Sequence, residues 1–397
     1  MTLTRADMAA LDAADPLARH RDAFDLPDDI IYLDGNSLGA MPRAARTRLA
    51  HVLDAEWRTG LIRSWRGPTG WMALPRKVGD AIAGLIGAAP GEVIVADSTS
   101  VNLFKLLAAA LAMNPGRTTI LSEPDNFPTD LYIAEGLARL VGPAARLKIV
   151  PRAQLAGAID SDTAVLTMTH VDYRTAEILD MAALTRAAQA KGALVLWDLS
   201  HSAGAVPVDL NGSGADLAVG CGYKFLNGGP GAPAYLFVAR RHQDRFVQPL
   251  SGWLGHGAPF AFETGYRPAS GIARALCGTP PVLSLAALDE GVQTVVAAGM
   301  PALRAKSMAL TQRFIDLAAQ ECPELVLASP RDSTRRGSQV SFHHSQAERV
   351  MEALIATGVI GDFRTPDVLR FGLAPLYVRF ADLWDAVARL KGALSRL

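Results

Sequence analysis

The chain has 397 residues, half of them hydrophobic and a fifth charged, with 39 Lys+Arg against 39 Asp+Glu. That length accommodates two domains around a large core, and the balanced charge argues against nucleic acid or an anionic membrane as the main partner. No apolar run reaches the length of a membrane span, the N-terminus is broken up by Arg5, Asp7 and Asp12, and only Cys221, Cys277 and Cys322 are present, so a cytoplasmic protein without membrane span, signal peptide or disulfide framework is expected.

The first thirty residues are polar and weakly periodic, which predicts an arm. Ile30-Ile31-Tyr32-Leu33 leads to a turn at Asp34-Gly35-Asn36-Ser37. Pro42 opens a predicted helix with Ala45, Leu49, Leu53 and Trp57 on one stripe and Gly60 after its end. Strand-like runs follow at Val93–Ala96, Thr118–Ser122, Leu147–Val150, Ala164–Thr169, Ala193–Asp198, Asp216–Cys221 and Ala234–Ala239. Helix-like runs at Val101–Met113, Leu131–Leu140 and Met181–Lys191 sit among them. Buried, β-branched strands interleaved with helices predict an α/β fold with a mostly parallel central sheet flanked by helices. After about Ser284 the pattern turns to long helices and then a smaller α+β part. The expected division is a large domain over 51–284 and a small domain built from 1–50 and 285–397.

Three features carry chemistry together. Ala193-Leu194-Val195-Leu196-Trp197 is a buried strand ending in Asp198-Leu199-Ser200-His201, and an acid at the carboxyl end of a central strand faces the crevice where α/β proteins bind ligands. Alone, such an acid is more often a helix cap. Cys221-Gly222-Tyr223-Lys224-Phe225-Leu226 follows a later strand and sets Lys224 among apolar residues, where an amine loses hydration and becomes available for imine formation. An isolated lysine there more often packs its stem on aromatics. An acid and an amine on two strand ends are together what a pyridoxal phosphate (PLP) site needs: one for the pyridinium, one for the aldehyde. Ser98-Thr99-Ser100 between a strand and a helix offers a phosphate site. Asn126-Phe127-Pro128-Thr129-Asp130 occupies the next equivalent turn, where Phe127 can stack on a flat ring and Asp130 can add negative charge. Gly229-Pro230-Gly231-Ala232-Pro233-Ala234 fits the loose dinucleotide pattern but leads into a strand, so it is discarded. His343-His344 lacks further ligands at metal spacing, and no metal site is expected.

The chain resembles the kynureninase family of fold type I PLP enzymes. The motifs that carry this run nearly end to end: Tyr32-Leu33-Asp34-Gly35-Asn36-Ser37-Leu38-Gly39, Val101-Asn102-Leu103, Phe127-Pro128-Thr129-Asp130, Asp198-Leu199-Ser200-His201, Tyr223-Lys224, Gly252-Trp253-Leu254-Gly255-His256, Gly278-Thr279-Pro280-Pro281 and Arg370-Phe371-Gly372-Leu373-Ala374-Pro375-Leu376-Tyr377. The resemblance implies hydrolysis of L-kynurenine to anthranilate and L-alanine, by Cβ–Cγ cleavage through a PLP ketimine, in tryptophan breakdown. It makes Lys224 the imine lysine and proton shuttle, Asp198 the partner of the pyridine nitrogen with Asp130 close by, Phe127 the ring-packing group and Tyr223 a proton donor or base. His201 falls near the phenolic oxygen, and Thr99, Ser100 and Tyr223 fall at phosphate-ligand positions. Pro128, Thr129 and Asp172 complete the cofactor contacts within one chain. Trp253 and Thr279 match positions that the partner subunit of a homodimer contributes. Arg370 matches the arginine that clamps the substrate carboxylate, a bidentate task suited to guanidinium, with Ser37, Trp65 and His256 on the substrate side. Thr279, where animal enzymes carry asparagine, and the bacterial-type Arg63-Ser64-Trp65 region favour L-kynurenine over its 3-hydroxy form.

The nearest rivals are other fold type I enzymes, such as a cysteine desulfurase or a class V aminotransferase. A desulfurase needs a reactive cysteine on a mobile loop in the later half, and neither Cys277 nor Cys322 has that setting. A non-catalytic PLP- or phosphate-binding scaffold is opposed by the intact Lys224, Asp198 and Arg370.

Overall fold

The computed structural model describes residues 2–67 and 70–396. The expected N-terminal arm is instead folded. Helix α1 (Arg5–Ala13) starts on a capping box between Thr4 and Asp7, and it packs through buried Met8 against the C-terminal helix. The sequence hid it because a helix with one buried side chain leaves almost no apolar period. Strand β1 (Ile31–Tyr32) leads to α2 (Arg43–His51), and the chain then widens into π-helical turns to Gly60. The stripe predicted there is buried at Ala45 alone; Leu53 and Trp57 are exposed. Helix α3 (Leu74–Leu85) precedes the main sheet.

Seven strands form that sheet: β2 (Val93–Val95), β3 (Thr119–Ser122), β4 (Arg146–Ile149), β5 (Thr163–Thr169), β6 (Leu194–Asp198), β7 (Leu217–Gly220) and β8 (Tyr235–Val238). Their order is β2-β8-β7-β6-β5-β3-β4, with only β8 running antiparallel to its neighbours. Between them lie α4 (Thr99–Met113), α5 (Pro128–Val141), the one-turn α6 (Leu155–Ala158) and α7 (Met181–Gln189); the one-turn α8 (Arg240–Gln243) follows. Alternate residues serve the two faces. Leu194 and Leu196 of β6 join Ile120, Val165 and Val219 under α4, whereas Val195 and Trp197 face the opposite core with Leu166, Met168 and Phe237. Helices on both faces explain why these strands read as unbroken apolar runs.

The long helices α9 (Val282–Ala298) and α10 (Met300–Glu321) meet the predicted change of texture. A four-stranded antiparallel sheet follows, of order β12-β13-β10-β9, from β9 (Val326–Leu327), β10 (Gln339–His343), β12 (Asp362–Arg364) and β13 (Val368–Gly372). Helices α10 and α11 (Ala347–Ile355) pack on it, α12 (Phe380–Leu394) packs on those helices, and β11 (Val359–Ile360) pairs in parallel with β1. The N-terminal segment is thereby tied to the C-terminal part. His343 lies at the end of β10 with its Nδ1 3.2 Å from Asp367 Oδ2.

Candidate active site

The parallel strands deliver four polar segments to one edge of the main sheet, the carboxyl edge where open α/β sheets take ligands. Ser98 follows β2 and caps α4, its hydroxyl accepting from Val101 N–H, which leaves Thr99 and Ser100 on the first helical turn. Asn126 follows β3. Its amide accepts from Thr169 Oγ and from Phe127 N–H (2.5 and 2.9 Å) and so fixes the turn that aims Phe127 and begins α5 at Pro128 and Thr129. Asp198 ends β6, and Lys224 follows β7.

Four buried groups meet there. Asp198 Oδ1 accepts from the backbone N–H and hydroxyl of Ser200 at 2.7 and 2.6 Å. Asp130, at the third position of α5, is buried and neither carboxylate oxygen has a hydrogen-bond partner among the described residues. Burial raises the pKa of Asp198, although the Ser200 hydrogen bonds and Lys224 oppose it. Burial, and then the charge of Asp198, lift Asp130 well above the carboxylate range. Lys224 Nζ lies 3.2 Å from His201 Nε2 and 5.7 Å from the centre of the Phe127 ring. Burial, with Lys224 second, lowers the His201 pKa well below the imidazole range, so this ring is neutral. Burial likewise pushes the Tyr223 phenol up, and it stays protonated.

Two buried carboxylates, one with both oxygens bare, describe a cavity wall that lacks a cation. A protonated ring nitrogen would be held by Asp198 and balanced in charge by Asp130, Phe127 would give the ring a face, and Lys224 would give its aldehyde an amine. The α4 N-terminus supplies amides and hydroxyls for a phosphate. These residues therefore fit PLP.

The opposite wall comes from the small sheet. Arg370 on β13 is fully buried and grips Asp362 on β12 through Nε and Nη2, the first bond at 2.6 Å. Its Nη1 donates to the Tyr173 carbonyl at 2.6 Å and Nη2 reaches Ser37 Oγ at 3.2 Å. Ser37 in turn donates to Asp362 at 2.7 Å. One Nη1 hydrogen is left, and with the Nη2 hydrogen that Ser37 now holds it forms the edge open to a substrate carboxylate. Arg364 also pairs with Asp362, at 2.9 Å. Burial works against the Asp362 carboxylate, but the Arg370 hydrogen bonds, Ser37 and Arg364 outweigh it and hold its pKa low. The segment from Asp34 to Gly39 joins the two walls: Asp34 bridges to Gly372, and Gly39 N–H donates to the Tyr223 carbonyl at 2.7 Å. A Cβ on Gly39 would sit 2.4 Å from the Lys224 carbonyl oxygen, so this approach needs glycine.

Other expected residues lie elsewhere. Asp172 spends its oxygens on Arg174 N–H, Thr175 N–H and Arg152, in a loop whose Tyr173 ring stands edge-on to Phe127. Trp65 packs on Trp71, and buried His256 accepts from Ala258 N–H. Trp253 and Thr279 are exposed. Among the described residues none of these four touches Lys224 or Arg370 within one chain. Sequence reasoning missed Asp362, Arg364 and Tyr173. Asp362 and Arg364, one either side of Phe363, carry no pattern, and the pairing with Arg370 appears only when β12 lies beside β13.

Comparison with known proteins decides the family. The chain is 54% identical over 399 residues to a kynureninase of Burkholderia pseudomallei, covering 99% of this chain and 96% of the relative. It is 52% identical over 400 residues to a kynureninase of Pseudomonas fluorescens, with the same coverage. The chain belongs to the kynureninase family. Residues 303–390 also match a family model described as the kynureninase C-terminal domain. Solved structures with this fold include an apo cysteine desulfurase of Thermococcus onnurineus (TM-score 0.81, 18% identity, 96% of this chain and 98% of that one). A cystine C-S lyase in complex with cysteine persulfide is also alike (TM-score 0.78, 17% identity, 92% and 98%). Identity that low carries the fold alone, the fold type I arrangement, whereas the kynureninase relatives share more than half their residues with this chain over nearly its whole length.

Proposed function

We propose that this enzyme hydrolyses L-kynurenine to anthranilate and L-alanine with PLP held at the edge of the main sheet. The observation that carries the residue assignment is the buried Asp130–Asp198 pair, Asp130 with both oxygens bare, facing Lys224 and Phe127. When bound, PLP supplies an aldehyde for imine formation and an electron sink for charge developing at the substrate carbons. Asp198 keeps a proton on the ring nitrogen, with Asp130 adding negative charge behind it. Lys224 moves a proton at the substrate α-carbon. Neutral His201 steadies the Lys224 amine through their 3.2 Å contact. Tyr223, protonated by virtue of its burial, donates a proton where the carbon–carbon bond breaks. Thr99 and Ser100 hold the phosphate. Arg370 takes the α-carboxylate on its Nη1/Nη2 edge, where Ser37 gives up its Nη2 hydrogen bond and completes the cradle.

The working unit is a homodimer with shared sites, in which Trp253 and Thr279 face the partner's phosphate. In support, an apolar groove of about 890 Å³ runs past Leu26, Met41, Leu49, Leu53 and Leu283, Trp57 and Ile62 are exposed just after it in sequence, and Phe260 and Phe262 are exposed near Trp253. Thr279 and Trp65 favour L-kynurenine over 3-hydroxykynurenine, the domains divide at 51–284 against 1–50 with 285–397, and the enzyme works in the cytoplasm on a small molecule, without nucleic acid or membrane.

The test is direct. Purified protein incubated with PLP should be yellow, borohydride should fix the cofactor on Lys224 by peptide mass, and L-kynurenine should give fluorescent anthranilate and alanine. Lys224→Ala should be inactive. Alanine formed only when free cysteine is supplied would favour a desulfurase instead.

A further inference from the structure

One partly buried acid has no part in the chemistry above. Asp34 stands at the turn after β1, bridged to Gly372, and its Oδ1 is sealed from solvent without a hydrogen-bond partner. The neighbouring Asp362 is saturated by Arg370, Arg364 and Ser37. Two guanidinium groups and two carboxylates sum to zero when all are ionised. An arriving α-carboxylate takes this enclosed cluster to a net negative charge, which a partly desolvated site resists.

We propose that Asp34 is a positioning acid that takes up a proton as the substrate carboxylate docks on Arg370, while Asp362 and Arg364 stay ionised and hold the guanidinium in place. This rests on the substrate reading given above.

The surroundings of Asp34 leave no other acceptor for that proton. Asp362 is held ionised by its hydrogen bonds from Arg370 and Ser37 against the cost of burial. Arg364 and Arg370 are already cationic. Tyr32 donates its hydroxyl to the Leu38 carbonyl at 2.7 Å, and burial raises its pKa. Tyr377, buried against the same turn, is pushed up by burial in the same way. Both phenols therefore keep their protons. His201 and Lys224 lie one layer further in, against each other. Asp34 itself is lifted to about 7, first by burial and then by the charge of Asp362, with Ser37, Arg370 and Arg364 opposing. A bound anion beside Arg370 lifts it further. The protonated form thus binds the carboxylate better, so binding is tightest below that pH and weakens as the pH rises through it.

The test uses the holoenzyme and 3-(2-aminobenzoyl)propionate, the kynurenine skeleton without the α-amino group, which docks a carboxylate but forms no imine. Calorimetric titration between pH 6 and 9, in buffers of different ionisation enthalpy, counts protons taken up, and visible absorbance reports separately any proton gained by the cofactor. Wild type should take up most of one proton near pH 8, with the dissociation constant rising by up to about tenfold per pH unit. Asp34→Asn should lose both the uptake and the pH dependence. Asp362→Asn should move the uptake to lower pH, because the charge that lifts Asp34 is gone; this variant and the wild-type count carry the test should Asp34→Asn lose its visible band. No uptake by wild type, equal uptake by Asp34→Asn, or uptake matched by the cofactor spectrum would overturn the proposal while leaving the substrate reading intact. An analogue that fails to bind wild type, together with no anthranilate from L-kynurenine, would overturn both.

Discussion

Asp130 occupies a position on the first turn of α5 where an acid ordinarily favours the helix dipole from the surface. Here it is buried, with both oxygens bare and another carboxylate close enough to repel it. The consequence for stability has a definite sign. A carboxyl whose folded pKa is raised carries no penalty below its unfolded pKa. The penalty then grows as the pH rises from the ordinary carboxylate range towards the folded value. Asp130→Asn should therefore raise the melting temperature of the cofactor-free protein at pH 8 and leave it unchanged near pH 4, as thermal unfolding at the two pH values can check. With PLP bound the benefit should vanish, since the ring nitrogen then faces the acid. Asp198→Asn removes the charge that keeps the nitrogen protonated, and anthranilate production should fall by about a hundredfold or more; a loss below tenfold would contradict the role given to Asp198.

At the scale of elements, the site is an assembly of strand ends, and those ends were readable. Ala193–Trp197 and Leu217–Gly220 are apolar because both faces of the main sheet are covered, so the polar residues that follow them stand out. Asp198, Lys224, Phe127 and Asp130 were legible for that reason. The small sheet gives no such contrast. β12 is three residues, Asp362-Phe363-Arg364, each half-buried, and no period can be read from three positions. Its importance arises from antiparallel pairing with β13, which sets Asp362 opposite Arg370. The N-terminal helix escaped for a related reason, one buried methionine in nine residues. The segment Tyr32–Gly39 was visible as a motif, but its function as a splice between the two sheets was not. Gly39→Ala tests that splice. Its Cβ would drive into the backbone of Lys224 and Asn227, costing about 1–3 kcal/mol as overpacking does, and the visible cofactor band should weaken along with the melting temperature.

For the whole molecule, the proposed homodimer would make each site depend on two chains. Trp253 and Thr279 are exposed and touch neither Lys224 nor Arg370 within the chain. If the partner supplies them, inactive Lys224→Ala and weakened Trp253→Ala chains mixed and reassembled should recover activity, since each mixed dimer contains one intact site, up to about a quarter of wild type. No recovery, with mixed dimers demonstrated by mass, would place Trp253 in its own chain's site. The bridge between the two sheets has a further meaning. The carboxylate anchor and the imine lysine sit at opposite ends of six residues, from the Asp34 contact with Gly372 to the hydrogen bond from Gly39 to Tyr223. With Arg370 and Lys224 in the proposed roles, that short span would act as a fixed caliper for α-amino acids, gauging the gap between amine and carboxylate whatever side chain lies beyond. A one-residue insertion within it would reset the gauge and turn the site towards β-amino acids, whose two charged groups stand one carbon further apart.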